Sequence, residues 1–220
     1  MSDQLLHVVN PFTEKEEFTL PLLKPQEIDL VVQRAQNAFS VWRSTSMGER
    51  IACCQRFADA VEKKRDEIAR NLTRQMGKPL QQSLNEVSGM LGRMDYMMSI
   101  AEKALADEWL PDVPGFKRYI RHEPLGVVLD IAAWNYPLLI AVNVVVPAVL
   151  AGNAVIVKHS SRTPLAGQMF QDLFRDAGAP PNLVQNVIAD HAVTAMLIQH
   201  KQVDHVSFTG SVKGGHEVMA

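Results

Sequence analysis

The sequence predicts an α/β protein: a parallel sheet with helices on both faces, preceded by a helical segment. Two observations predict this. From about residue 125 onward, short β-branched runs alternate three times with helical stretches, and such alternation builds parallel sheets covered by their crossover helices. Between residues 25 and 106, apolar residues recur at helical spacing instead.

The elements follow in order. Residues 7–20, "HVVNPFTEKEEFTL", predict a short hairpin whose turn starts at Asn10-Pro11. Pro25 stands at a first helical turn, and Ile28, Val31, Val32, Ala35, Ala38, Phe39 and Trp42 form the apolar stripe behind it. Ser46 with Glu49 is a capping-box pattern. It opens a helix that runs to Met76 with a break near Lys64, stopped by Gly77 and Pro79. A further helix is predicted over Leu80 to Ala106, closed by "LPDVPG". Residues 116–123 read as an alternating strand and "GVVLDI" as a buried one. After Pro137 an apolar helix ends at Ala151-Gly152-Asn153. Then come the strand "AVIVK", a helix opened by Thr163-Pro164, the strand "LVQNVI", the helix "AVTAMLIQH" and the strand "VDHVSFTG". The predicted division is 1–115 for hairpin and helices, 116–124 for a separate strand, and 125–220 for the sheet.

Composition narrows the function. With 220 residues, 47% hydrophobic and 21% charged, the chain is an ordinary globular protein of one large or two modest domains. A net charge of −2, with no basic tract or aromatic–basic platform, gives no case for nucleic acid. The start, "MSDQLLHVVNPF", lacks the basic and apolar regions of a secretory signal. The run Leu138 to Val157 is apolar enough to raise a transmembrane reading, but Asn143, Pro147, Gly152 and Asn153 interrupt it. No membrane association is expected. Cys53 and Cys54 are adjacent and form no disulfide framework, so a reducing, cytoplasmic compartment is the default and both are read as structural. The seven histidines lack metal-ligand spacing, and no metal site is expected.

Ligands of open parallel sheets bind at the carboxyl ends of the strands. Three such ends are legible: "AAWN" at 132–135, "VKHS" at 157–160 and "FTGS" at 208–211. Each carries hydrogen-bonding groups, and each has a plain alternative. Asn135 is a local turn or cap residue, or a side-chain donor to a ligand. Lys158 is a solvated strand end, or a cationic donor to a ribose or phosphate. Gly210 and Ser211 are a turn glycine and a helix N-cap, or a close-approach glycine and a hydroxyl at a phosphate-binding helix start. Neither a G-x-G-x-x-G nor a P-loop pattern is present.

The stretches "EPLGVVLDIAAWNYPLL", "PAVLAGNAVIVKHSSRTPLAG" and "DHVSFTGSVKGG" resemble the aldehyde dehydrogenase superfamily. "VNPFT" near the start, "WR" at 42–43 and "RQMGKP" at 74–79 stand in family order, so the resemblance covers essentially the whole chain. It implies a Rossmann-like NAD(P)-binding fold, with 116–124 as a strand of an oligomerisation arm and a homo-oligomer, dimer or tetramer. It implies oxidation of a small-molecule aldehyde to a carboxylic acid through a thiohemiacetal, with NAD or NADP as cofactor. Asn135 matches the amide donor to the intermediate's oxygen, Trp134 the residue beside the pyrophosphate, and Lys158 the lysine on the adenosine ribose. Gly210 and Ser211 match the glycine and serine at the pyrophosphate and helix start. Two departures stand out. Ser161 occupies the position of a glutamate that bonds the ribose hydroxyls and repels a 2′-phosphate. The family's nucleophilic Cys and general-base Glu lie downstream of F-T-G-S, whereas this sequence ends at Ala220. The expectation is an N-terminal portion, inactive by itself. A non-catalytic fragment that binds only nucleotide or a partner would keep the same cofactor residues.

Overall fold

The computed structural model describes residues 4–219; Ala220 and the first three residues of the stretch read for a leader lie outside the described residues. Strands β1 (Leu5–Asn10) and β2 (Lys15–Pro21) form the antiparallel hairpin. Asn10 makes its turn: the side-chain oxygen accepts from the Phe12 N–H at 3.0 Å.

After a 3-10 turn at Pro25–Glu27, four helices follow: α1 (Ile28–Trp42), α2 (Met47–Lys63), α3 (Arg65–Met76) and α4 (Leu80–Ala104). The capping box at α2 is reciprocal. The Glu49 N–H donates to Ser46 Oγ at 3.2 Å, and the Ser46 N–H donates to the Glu49 carboxylate at 2.7 Å. The break falls at Lys64, whose backbone leaves the helical region. Gly77 ends α3 in the left-handed conformation with φ 76°, and a Cβ there would lie 3.0 Å from the Pro11 ring. Phe57 of α2 stacks on Phe174, with ring centres 4.0 Å apart.

The strand predicted over 116–123 is shorter. Phe116 makes an isolated bridge to Val113, and the ladder itself is β4 (Tyr119–Ile120), antiparallel to β3 (Glu108–Trp109). All four residues are exposed, so the alternating pattern has no buried face to extend it.

The sheet is built from β5 (Val127–Ala132), β6 (Ala154–His159), β7 (Val184–Asn186) and β8 (His205–Phe208), all parallel, in the order β7-β6-β5-β8. Its helices are α5 (Pro137–Leu150), α6 (Pro164–Asp176), α7 (His191–Ile198) and, after β8, α8 (Val212–Met219). Right-handed crossovers put α5 and α6 on one face while the chain moves outward from β5, and α7 on the other when it returns past β5 to β8. Helix α1 packs on β6 and against α7, and α2 to α4 pack behind α5 and α6. The direction reverses beside β5, which makes the topological switch point where such sheets bind ligands.

Strand β7 is also shorter than the predicted run 183–188. The Gln171 side chain takes the Asn186 N–H at 2.8 Å, and Leu23 donates to the Ile188 carbonyl at 2.7 Å, so the outer edge is closed by groups from elsewhere. The apolar run from Leu138 is helix α5, 14 residues long and largely buried in the core. Among the described residues no helix is long and apolar enough to cross a membrane.

Candidate active site

The carboxyl ends of β5, β6 and β8 open on one cavity of about 850 Å³, closed on its far side by the first turns of α7. Trp134, Asn135, Lys158, Ser161, Gly210 and Ser211 all line it. The six candidates read from the sequence thus come together, although they are spread over 78 positions of the chain (134 to 211).

Asn135 is no helix cap. Helix α5 begins after Tyr136 with no side-chain cap, and Pro137 at its first position has no N–H to satisfy. The orphan donors of that first turn go elsewhere: the Leu138 and Leu139 N–H groups donate to one oxygen of Glu86, at 2.9 and 3.3 Å. The other Glu86 oxygen pairs with Lys78 Nζ. Lys78 also donates to the Asn135 carbonyl at 2.9 Å and lies 4.1 Å from the centre of the Tyr136 ring. Both charged side chains are buried. The main chain of Asn135 is therefore held from behind, while its side-chain amide is exposed and, among the described residues, makes no hydrogen bond.

Lys158 is half-buried at the end of β6, with no hydrogen bond or ion pair from its ammonium to a described protein group. Burial pulls its pKa below the usual lysine value, and the Asp190 carboxylate at the start of α7 opposes that pull. A half-buried ammonium with no hydrogen bond to a described group, facing the cavity, fits an anionic or hydroxyl-rich ligand better than a solvated strand end.

Ser211 caps α8: its hydroxyl accepts from the Gly214 N–H at 3.1 Å, and both residues line the cavity. The glycine at 210 has a packing reason as well. A Cβ there would come within 2.5 Å of the Phe208 ring, which folds under the start of α8. Ser161 lies between this cavity and an adjoining recess of about 470 Å³, shared with Trp134, Arg162 and the β1 strand.

Two buried polar groups lie on the strands that end at the site. His159, one residue beyond Lys158, has its pKa pushed down to about 3 by burial. Asp130 lies wholly buried in the middle of β5, neither oxygen has a partner, and burial pushes its pKa up to about 8. Cys53 and Cys54 are buried on α2 away from the cavity, and burial pushes both thiols up. Among the described residues, no group of three or more His, Cys, Asp or Glu side chains is placed to hold a metal.

Sequence reasoning missed the Lys78–Glu86 pair. The signal was there: Glu86 begins the stripe Glu86, Met90, Met94, Met98, one carboxylate in line with the buried methionines of α4.

The sequence model of the aldehyde dehydrogenase family matches residues 1–220. The chain belongs to the aldehyde dehydrogenase family. This family member is 34% identical over 210 residues to the NADP-dependent succinate-semialdehyde dehydrogenase of Deinococcus radiodurans, covering 96% of this chain and 44% of that protein. Its structure matches a succinic semialdehyde dehydrogenase of Streptococcus pyogenes in complex with NADP+ at a TM-score of 0.91 and 27% identity, covering 97% of this chain and 47% of that one. It matches a betaine aldehyde dehydrogenase of Staphylococcus aureus in complex with NAD+ at a TM-score of 0.92 and 28% identity, covering 98% and 45%. The aldehyde dehydrogenase chain described here thus spans a little under half the length of the relatives it matches.

Proposed function

We propose that the protein carrying this chain oxidises an aldehyde to a carboxylic acid with NAD(P)+, and that this chain supplies the cofactor cavity and one oxyanion donor. The observation that carries the reading is the meeting of Asn135, Lys158 and Ser211 on one cavity at the sheet's switch point. When bound, the nicotinamide accepts the electron pair and proton lost from the aldehyde carbon. The chain's own residues do the rest of what is assigned here. Lys158 donates to the adenosine ribose, relieving the ammonium of its half-buried isolation. Trp134 forms one wall, and the first turn of α8, with Gly210 and Ser211 before it, offers backbone N–H groups and a positive helix end to the pyrophosphate. Asn135 donates its amide to the carbonyl oxygen as negative charge develops there. A neutral donor held in place before the reaction needs no reorganisation when that charge appears.

Neither Cys53 nor Cys54 is placed to supply the nucleophilic thiolate, since both are buried away from the cavity. We assign the thiolate and the general base to the part of the protein that corresponds to the half of the relatives not spanned here. Residues 116–124 with β3 are assigned to an oligomerisation arm. Trp109, Phe116, Tyr119 and Ile120 are exposed there, which suits burial against a second copy in a homo-oligomer. Two free thiols and no disulfide fit a cytoplasmic compartment.

The test is NAD(P)H formation by the whole protein with a panel of aldehydes and each cofactor. Aldehyde-dependent reduction supports the reading. Cofactor binding without turnover would move it to the nucleotide-binding alternative, and no binding of either cofactor would overturn it.

A further inference from the structure

Glu86 and Lys78 form a buried pair joining three pieces of chain: the α3–α4 turn, helix α4 and the loop that carries Asn135. Buried ion pairs cost desolvation, and by themselves stabilise little against apolar replacements. Every strong contact this pair makes outside itself goes to one segment. Lys78 holds the Asn135 carbonyl and lies over the Tyr136 ring, while Glu86 binds the Leu138 and Leu139 N–H groups. The carbonyl of 135 and the N–H of 138 are thus tied to opposite ends of one Lys–Glu unit. The backbone leaving the Asn135 Cα on its C-terminal side is fixed, and its side chain is left to the cavity.

We infer that Lys78 and Glu86 are the positioning residues of Asn135, a clamp outside the cavity that aims its amide at the reacting oxygen. This rests on the reading of Asn135 as oxyanion donor. Neither residue lines the cavity, so the pair acts on it through the segment that carries Asn135. The Glu86 carboxylate at the α5 N-terminus takes the N–H groups that the Tyr136 cap position leaves unpaired.

A double-mutant cycle on the whole protein tests this, with single-turnover NAD(P)H formation as the rate and cofactor KM measured alongside. Lys78→Met is expected to slow the single turnover by about 10- to 100-fold, the scale of an ångström's misplacement of a catalytic group, with cofactor KM unchanged. In an Asn135→Ala background the same substitution is expected to have no further effect, and Lys78→Arg is expected to restore part of the rate. Should Lys78→Met fail to fold by circular dichroism, Glu86→Gln carries the same cycle; it keeps an acceptor for the Leu138 N–H and loses the charge that holds Lys78. If Asn135→Ala is slow and the clamp substitution slows both backgrounds equally, the pair is only structural and the inference is overturned. If Asn135→Ala runs at the wild-type rate, the donor reading itself fails, and the clamp with it.

Discussion

The guanidinium of Arg162 lies 4.6 Å from the centre of the Trp134 indole. A cation over an indole face is a favourable contact, and here it ties the loop after β6 to the loop after β5 at the edge of the cavity. It also keeps a positive charge beside Ser161, where the family resemblance places a ribose-binding carboxylate.

Cofactor choice follows. Serine at 161 neither repels a 2′-phosphate nor accepts strongly from a 2′-hydroxyl, and the neighbouring Arg162 brings a cation that would attract a phosphate bound there. The whole protein is predicted to use NADP+ at least as well as NAD+. Ser161→Glu is predicted to shift the preference toward NAD+ by roughly 1–3 kcal/mol, and Arg162→Ala to weaken NADP+ selectively. Steady-state kcat/KM for both cofactors on the three proteins checks this. A strong NAD+ preference that Ser161→Glu leaves unchanged would remove Ser161 from the ribose pocket.

Asp130 and His159 predict a stability profile with two limbs. Asp130 is raised from 3.8 to about 8, so its contribution is full below pH 3.8 and is lost as pH rises to about 8. His159 is depressed from 6.5 to about 3, so its contribution is full above pH 6.5 and is lost as pH falls to about 3. Between pH 3.8 and 6.5 the two slopes oppose each other and cancel. Stability should therefore decline above that window and below it, each limb at about 1.4 kcal/mol per pH unit per group. Urea midpoints across the pH range should show Asp130→Asn flattening the alkaline limb and His159→Gln the acid one. An alkaline limb of the same slope in Asp130→Asn would contradict this account.

Much of the fold was legible because local chemistry decided it. Ser46 with Glu49, Gly77 before Pro79 and Pro137 opening α5 signal helix ends within a few residues, and the structure puts the ends there. The two short strands were not legible, because what sets their length is remote: the Gln171 side chain and the Leu23 N–H for β7, the absence of a covering face for β4. The site divides the same way. Asn135, Lys158 and Ser211 were readable as polar groups at strand ends. The clamp behind Asn135 was legible only as a carboxylate, Glu86, in line with the buried methionines of α4; its target was not, because Lys78 and Glu86 lie 57 and 52 positions from their partners Asn135 and Leu138. Phe208 under Gly210 gave that glycine a packing reason no local pattern showed.

The two cysteines should be inert. Cys53 and Cys54 are 1% and 0% exposed, and their thiols are pushed up by burial. In the native protein both should react with a thiol reagent only at the rate of opening, and Cys53→Ser should leave aldehyde turnover intact. Fast labelling of Cys53 together with loss of turnover in Cys53→Ser would make it the nucleophile.

The α2 cap offers a control far from the cavity. Ser46→Ala removes the hydroxyl half of the box, the acceptor for the Glu49 N–H, and keeps the backbone N–H that donates to the Glu49 carboxylate; it should cost about 1 kcal/mol of stability, seen as a lower denaturation midpoint, with cofactor KM unchanged. A variant as stable as the parent would show that the cap carries no net stability.

The central claim is that Asn135 stabilises charge on the carbonyl oxygen, and single-turnover NAD(P)H formation by Asn135→Ala tests it most directly. At saturating cofactor and aldehyde the rate should fall by roughly 10²–10³, the usual loss of one oxyanion donor, with cofactor KM unchanged. A single turnover as fast as wild type would contradict the account, as would a loss confined to cofactor KM.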